Sequence, residues 1–327
     1  MRSRMLSAVI FFMVIAASPF SWAQTKIRVN WGAVSGAMSG LWVTYEEGLF
    51  KKNGLEAELI HIPSTSRAIQ SMLAGEIHFS TADALTTIQA VLSGADVVMV
   101  AAGVNRFVFS LMARPEIKRV SDLRGKKIGI TRVGSSTHTA TLHILAKAGL
   151  SPGDYTLLPL LEVPNILTAL LAGQIDAGVL SPPTNSRAKK ASLVELVNLA
   201  TDGPEFPSTT IASTRSYIKA NEDATRRVVR AYAEAIYLFK TNRQIGMKVL
   251  QKYTRVKEPE ILEDTYNQFR EVLDAVPYVS KEGVATLLAS VAEKEPKARQ
   301  LKLDDLMDMR LVAELEREGF FKKLWEK

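Results

Sequence analysis

Short apolar runs alternate with amphipathic stretches along this 327-residue chain. Residues 27–80 and 126–180 follow one order of elements: strand, Gly/Ser loop, helix, strand, second helix, third strand. Strands that alternate with helices of about ten to fifteen residues indicate βαβ crossovers and mostly parallel sheets. The pattern predicts an α/β fold with two similar Rossmann-like lobes, and one large doubly wound domain is the alternative.

The two repeats also share their loops and helix ends. Each first strand enters a Gly/Ser loop, VSGAMSG at 34–40 and VGSSTHT at 133–139. The next helix stops at a Gly-Leu pair, Gly54-Leu55 or Gly149-Leu150, where glycine suits the left-handed position after a helix. Each second helix ends in Leu-Ala-Gly, at 73–75 and 171–173.

The remaining segments predict how the lobes connect. The apolar stretches 107–113 and 209–213 are suited to two crossings between lobes, which together make a two-strand hinge. Asn221 is placed to cap a long helix with apolar positions at helical spacing. We therefore expect lobe 1 to comprise 24–110 and 214–327, lobe 2 to comprise 111–213, and a ligand cleft to lie between them.

The first residues predict export. Arg2 and Arg4 precede an apolar run at 5–17 and the small-residue pattern Ser21-Trp22-Ala23, which is typical of a cleaved signal peptide at 1–23. The run is shorter than the roughly 20 residues that cross a bilayer. We expect a periplasmic protein.

Composition narrows the chemistry. The chain has no cysteine, which excludes disulfides, thiolate nucleophiles and cysteine-based metal sites. The formal charge of +7 includes Arg2 and Arg4, and the basic pairs are scattered among acidic residues. This is typical of a solvated surface, so we expect no nucleic-acid partner.

The Gly/Ser loops are the main candidate site. In open parallel sheets, ligands bind beyond the carboxyl ends of the strands, and amides at a following helix N-terminus suit an oxyanion. The alternative is that the hydroxyls only cap helices. The candidates are Ser35, Gly36, Met38 and Ser39 in the first loop, and Ser135, Ser136, Thr137 and His138 in the second.

Other candidates follow neighbouring strands. Asp83 either accepts a hydrogen bond from the ligand or caps the helix that starts at Ala84. Trp31 and Trp42 either line an apolar wall with Met38 or pack in the core, and Arg67 and Arg106 either approach the anion or lie on the surface. The remaining candidates are Thr65, Ser66, Thr81, Ala82 and Pro182.

Catalytic motifs are missing from the sequence. It contains no Gly-x-Ser-x-Gly elbow, no Gly-x-Gly-x-x-Gly fingerprint and no Walker loop. His138 and His143 are five residues apart, which does not place them on one helix face as metal ligands. We expect no enzyme activity, no metal and no cofactor.

Four segments in order resemble the nitrate/taurine/sulfonate family of ABC-transporter substrate-binding proteins, also described as thiamine-pyrimidine-synthase-like. They are EEGLFKKNGLEAEL (46–59), SRAIQSMLAGEIHFSTADA (66–84), SDLRGKKIGITRVGSSTHTATLHILAKAGL (121–150) and NILTALLAGQIDAGVLSPP (165–183). The resemblance implies the type II periplasmic-binding-protein fold and ligand contacts from the first Gly/Ser loop, Thr65-Ser66, Thr81-Ala82-Asp83 and Ser135-Ser136-Thr137.

The resemblance also implies the partners: a small solute, such as a sulfonate or carboxylate, and an ABC permease in the inner membrane. We expect a monomer. Two alternatives stay open, a pyrimidine-biosynthesis-type enzyme of the same fold and a ligand-sensing accessory protein. Related enzymes use cysteine for their motif or cofactor, and this chain has none.

Overall fold

The computed structural model describes residues 24–326, and the predicted signal peptide at 1–23 lies outside this range. The strands of the described range are β1 Thr25–Trp31, β2 Leu55–His61, β3 Phe79–Ala82, β4 Val98–Arg106, β5 Ser110–Ala113, β6 Lys127–Ile130, β7 Thr156–Pro159, β8 Ala177–Leu180, β9 Val194–Asn198 and β10 Glu205–Ser213. They form two five-stranded sheets, in the orders β2-β1-β3-β10-β4 and β7-β6-β8-β5-β9.

Helices surround both sheets. The helices between the first strand and β10 are α1 Ser39–Glu46, α2 Leu49–Lys52, α3 Thr65–Leu73, α4 Ala84–Leu92, α5 Ser136–Lys147, α6 Val163–Leu171, α7 Thr184–Lys190 and α8 Leu199–Asp202. The C-terminal helices are α9 Arg215–Ala220, α10 Glu222–Thr241, α11 Arg243–Thr254, α12 Pro259–Val272, α13 Lys281–Lys294, α14 Arg310–Arg317 and α15 Phe320–Trp325.

The duplicated order in the sequence is a duplicated structure. β1 pairs in parallel with β2 and β3, and β6 pairs in parallel with β7 and β8. Gly54 and Gly149 have φ values of 72° and 73°, so both occupy the predicted left-handed position after a helix. The predicted α/β fold with two similar lobes is confirmed.

The repeats differ at their first helix. In the second lobe α5 is continuous, whereas in the first lobe the corresponding segment breaks into α1 and α2 at Gly48, which has a φ of 64°. Glycine adopts this backbone conformation at little cost, and the chain uses it to turn between the two short helices.

The lobe boundaries need a correction. The predicted lobe 2 spans 111–213, but β10 pairs antiparallel with β3 and β4 of the first sheet, so 205–213 belongs with lobe 1. The segments that cross between sheets are 107–109, between β4 and β5, and the stretch between β9 and β10. Phe107 in the first crossing stacks on Phe206, which lies just after the second, with ring centroids 4.0 Å apart.

The long helix α10 closes lobe 1, as its apolar spacing predicted. Its apolar face is buried against the first lobe, with α1 as its main neighbour. An added Cβ at Gly40 would lie 2.8 Å from the ring of Tyr232, so glycine permits this close packing. The predicted core positions Val228, Val229, Tyr232, Ile236 and Phe239 are all buried.

In the described part of the chain, no helix is both long enough and apolar enough to span a bilayer.

Candidate ligand-binding site between the lobes

A cavity of about 120 Å³ lies between the two lobes. Its wall combines loops that follow β1, β2 and β3 of the first sheet with loops that follow β6, β7 and β8 of the second. Hydroxyl groups dominate the polar part of this wall. The predicted residues that line it are Ser35, Met38, Thr65, Ser66, Thr81, Ala82, Ser135, Ser136 and Thr137.

Two helices from opposite lobes begin at this cavity. Thr65 and Ser66 are the first residues of α3, and Ser136 and Thr137 are the first residues of α5. Amides at these positions have no partner inside their own helix, and each helix N-terminus carries partial positive charge. The cavity therefore presents two sets of donors suited to an anion.

Ser135 and Thr137 hold the start of α5 in place. Ser135 is the N-cap residue, and its Oγ accepts from the amide of His138 at 3.3 Å and donates to the carbonyl of Arg132 at 2.7 Å. Thr137 Oγ1 accepts from the amide of Thr131 at 2.9 Å. These bonds tie both hydroxyls to the loop before α5, whereas the Ser136 hydroxyl takes no part in them and interacts with Asp83 of the other lobe.

Asp83 lies behind the cavity wall rather than on it. It is 2 % exposed and caps α4, with its Oδ1 accepting from the amide of Thr86 at 2.9 Å. Burial raises the pKa of Asp83, against hydrogen bonds from Thr86, Ser136 and Thr65 that lower it. Because Ser136 belongs to the other lobe, this carboxyl group connects the two sides of the cleft.

The remaining predicted residues do not line the cavity. Gly36 donates its amide to the Pro182 carbonyl at 3.2 Å, so both hold the two loops together across the cleft. Ser39 is fully buried within α1. His138 Nδ1 accepts from the Gly134 amide at 3.1 Å, and burial lowers its pKa, which suits a neutral ring that shapes the loop.

The apolar residues and the basic residue that line the cavity differ from the predicted ones. Trp42 is buried and Trp31 stacks on His61, while Val108, Phe109, Val133 and Leu161 line the cavity with Met38. Arg67 and Arg106 are exposed and lie outside the lining. Sequence analysis missed Arg132, which lines the cavity and whose only sequence signal was its position just after a buried strand.

Further contacts join the lobes around the cavity. Arg132 Nε donates to the Pro63 carbonyl at 3.4 Å, and Thr86 Oγ1 donates to the Gly134 carbonyl at 3.3 Å. Leu161 lines the rim with a φ of 71°, a left-handed conformation that non-glycine residues seldom adopt. Such backbone strain is often found at binding sites.

The chain is similar to known proteins in both sequence and fold. Residues 36–243 match the family model described as NMT1/THI5 like. A protein of Brucella abortus whose name describes it as a binding protein is 24 % identical over 247 residues, which cover 74 % of this chain and 75 % of the relative.

Two solved structures have the same fold. The alkanesulfonate-binding protein SsuA from Xanthomonas axonopodis, bound to MOPS, superposes with a TM-score of 0.72 at 24 % identity, covering 85 % of this chain and 94 % of that one. The periplasmic nitrate-binding protein NrtA from Synechocystis superposes with a TM-score of 0.70 at 13 % identity, covering 90 % and 89 %. The chain thus belongs to the NMT1/THI5-like family and has the periplasmic-binding-protein fold.

Proposed function

We propose that this protein is the periplasmic solute-binding component of an ABC importer and that it captures a small organic anion between its lobes. The proposal rests above all on one observation, that the N-termini of α3 and α5 come from opposite lobes and face one cavity. A ligand held by both helices stabilises the closed arrangement, and an inner-membrane permease then recognises that shape.

The charge pattern of the cavity supports an anionic ligand. Helix N-termini favour negative groups, and hydroxyls and amides donate hydrogen bonds that are stronger when the acceptor is charged. Arg132 adds a full positive charge at the cavity, partly balanced by Glu162 on the same wall. The fold already orients these donors, so little conformational entropy is lost when the ligand binds.

The cavity size supports an organic solute rather than an inorganic oxyanion. One water molecule needs roughly 10–15 Å³ of such space. The cavity of about 120 Å³ therefore accommodates a solute of about ten non-hydrogen atoms. Short sulfonates and carboxylates have this size, and nitrate or sulfate would leave much of the space to water.

The hydrogen bonding at the site supports binding over catalysis. Ser135 and Thr137 are held by Arg132 and Thr131, and Asp83 caps a helix, so these groups shape the cavity instead of forming a nucleophile and base pair.

The proposal includes export by the 1–23 signal peptide and action as a monomer.

A charge placed at the start of α3 tests the anion site. Ser66→Glu places a carboxylate among the proposed donors. The helix itself should tolerate the change, because an acidic residue is favourable in the first turn of a helix. The wild-type protein is refolded and screened by thermal shift against sulfonates, carboxylates, inorganic anions, amino acids and pyrimidines. An anion that binds should stabilise it by about 2.7 kcal/mol at a hundred times its Kd. In Ser66→Glu the affinity should fall by at least about a hundredfold, because like charges meet in the site.

Gln244→Glu is the matched control. Gln244 is exposed and is also the second residue of a helix, α11, away from the cavity. This variant should bind as the wild type does. Equal affinity of Ser66→Glu and Gln244→Glu for the responding anion would contradict the proposed site, and no response to any anion would contradict the proposed function.

A further inference from the structure

Two serines that line the cavity carry buried hydroxyls with no hydrogen-bond partner among the described residues. Ser181 is 1 % exposed, and its Oγ is buried and unpaired. Ser208 is half-buried, and its Oγ is likewise buried and unpaired. Both residues line the cavity. Buried polar groups in native proteins are nearly always hydrogen-bonded, so this pair indicates a missing partner.

Both serines lie beside the crossing segment 107–109. Ser181 directly follows Leu180, which pairs with Ser110 at the start of β5. Ser208 directly precedes Thr209, which pairs with Val104 near the end of β4. The unpaired hydroxyls are therefore on the hinge side of the cavity, on strands other than those that lead into α3 and α5.

Ser208 lies in an irregular part of β10. Glu205 pairs with Arg106 and Thr209 pairs with Val104, so four steps along β10 match only two along β4. Such bulges are common next to binding sites, where they redirect a side chain. Ser208 is inside this irregular stretch and lines the cavity.

We infer that Ser181 and Ser208 form a second recognition point and that the solute is bifunctional, with an anionic group at one end and a hydroxyl or carbonyl oxygen at the other. This inference rests on the proposed function, because it assigns the anionic end to α3 and α5. Val108 and Phe109 line the cavity as well and supply apolar contact for a short carbon chain between the ends. A serine hydroxyl can both donate to and accept from such an oxygen.

Paired probes test the second recognition point. Each pair has one anionic group (sulfonate, carboxylate or phosphonate), one chain of two to five carbons, and either a methyl or a hydroxyl at the far end, as in butane-1-sulfonate and 3-hydroxypropane-1-sulfonate. Isothermal titration of the refolded protein should show at least tenfold tighter binding of the hydroxylated member for the best-fitting chain. In Ser181→Ala and Ser208→Ala this ratio should approach one, with affinity for the methyl member unchanged.

Ser39→Ala is the control, because Ser39 also has a buried, unpaired hydroxyl but does not line the cavity. It should keep the wild-type ratio. Removing an unpaired hydroxyl leaves no partner unsatisfied, so all three variants should fold.

The outcomes separate this inference from the proposed function. Equal binding of both members of every pair, or a ratio that survives both alanine changes, overturns the second recognition point and leaves the anion site standing. Water alone would then pair with the two serines. If no probe binds at all, both proposals fail together.

Discussion

Asp83 is a buried carboxyl group whose protonation should affect stability. Burial raises its pKa in the folded protein above the value in the unfolded chain. Protonated Asp83 therefore contributes stability below about pH 4, and this contribution is lost as the pH rises through the folded pKa. Asp83→Asn should remove this loss, so wild type should become less stable relative to the variant as the pH rises, by about 1.4 kcal/mol for each unit of pKa difference.

Urea unfolding of both proteins between pH 4 and pH 7 measures this difference. Asparagine remains a good N-cap residue and can still accept from the Thr86 amide, so the comparison isolates the charge. Parallel stability curves over the whole range would mean that the pKa of Asp83 is the same in both states. The sequence predicted the helix cap, but not the hydrogen bonds from Thr65 and from Ser136 across the cleft, because these depend on how the lobes meet.

At the scale of the element, the start of α5 should separate stability from binding. Ser135→Ala removes the N-cap bond to the His138 amide and should lower the free energy of unfolding by about 1 kcal/mol. Ser135→Asp should keep that stability, because aspartate also caps helices, yet it should abolish anion binding by adding a negative charge at the site. Urea unfolding and ligand titration of both variants check the two effects independently.

Ser136→Ala completes this comparison. Its hydroxyl is not the cap of α5 and interacts instead with Asp83 of the other lobe, so we expect weaker ligand binding and a smaller loss of unfolding free energy than in Ser135→Ala. Loss of stability in Ser136→Ala equal to that in Ser135→Ala would contradict the assigned roles. The sequence predicted α5 and its loop from Gly and Ser spacing, but it treated Ser135, Ser136 and Thr137 alike, because a hydroxyl pattern does not reveal which side chains face inward.

For the whole molecule, the sequence predicted two lobes because the repeat places equivalent loops and glycines at matching positions. It misplaced β10, since one apolar run can pair with either sheet and only the long-range contacts with β3 and β4 decide. Prediction of the cavity lining from the sequence was incomplete for the same reason. Hydroxyl residues on the repeated loops were found, whereas Arg132, Leu161 and Ser208 lie outside those loops and join the cavity wall only through the tertiary fold.

Closure itself should depend on contacts between α7 of lobe 2 and α12 of lobe 1. Arg187 lies 3.3 Å from Glu258, just before α12, and Ser186 Oγ donates to Asp264 at 2.5 Å. These side chains are partly exposed to solvent, so each contact is weak and screened by salt. Because the contacts exist only when the lobes meet, Arg187→Glu should reduce the closed population and weaken ligand binding by less than about tenfold.

The reversed pair decides whether this effect belongs to the interface. Arg187→Glu combined with Glu258→Arg restores opposite charges, so affinity should recover, and the difference between the single variant and wild type should shrink in about 1 M salt, where screening acts over roughly 3 Å. Arg243→Glu is the control, because Arg243 pairs with Glu263 within lobe 1. If Arg243→Glu weakened binding as much as Arg187→Glu, the loss would reflect overall charge. A loss that the double variant repairs and Arg243→Glu does not reproduce would tie affinity to contact between the lobes, since no residue of the cavity is changed.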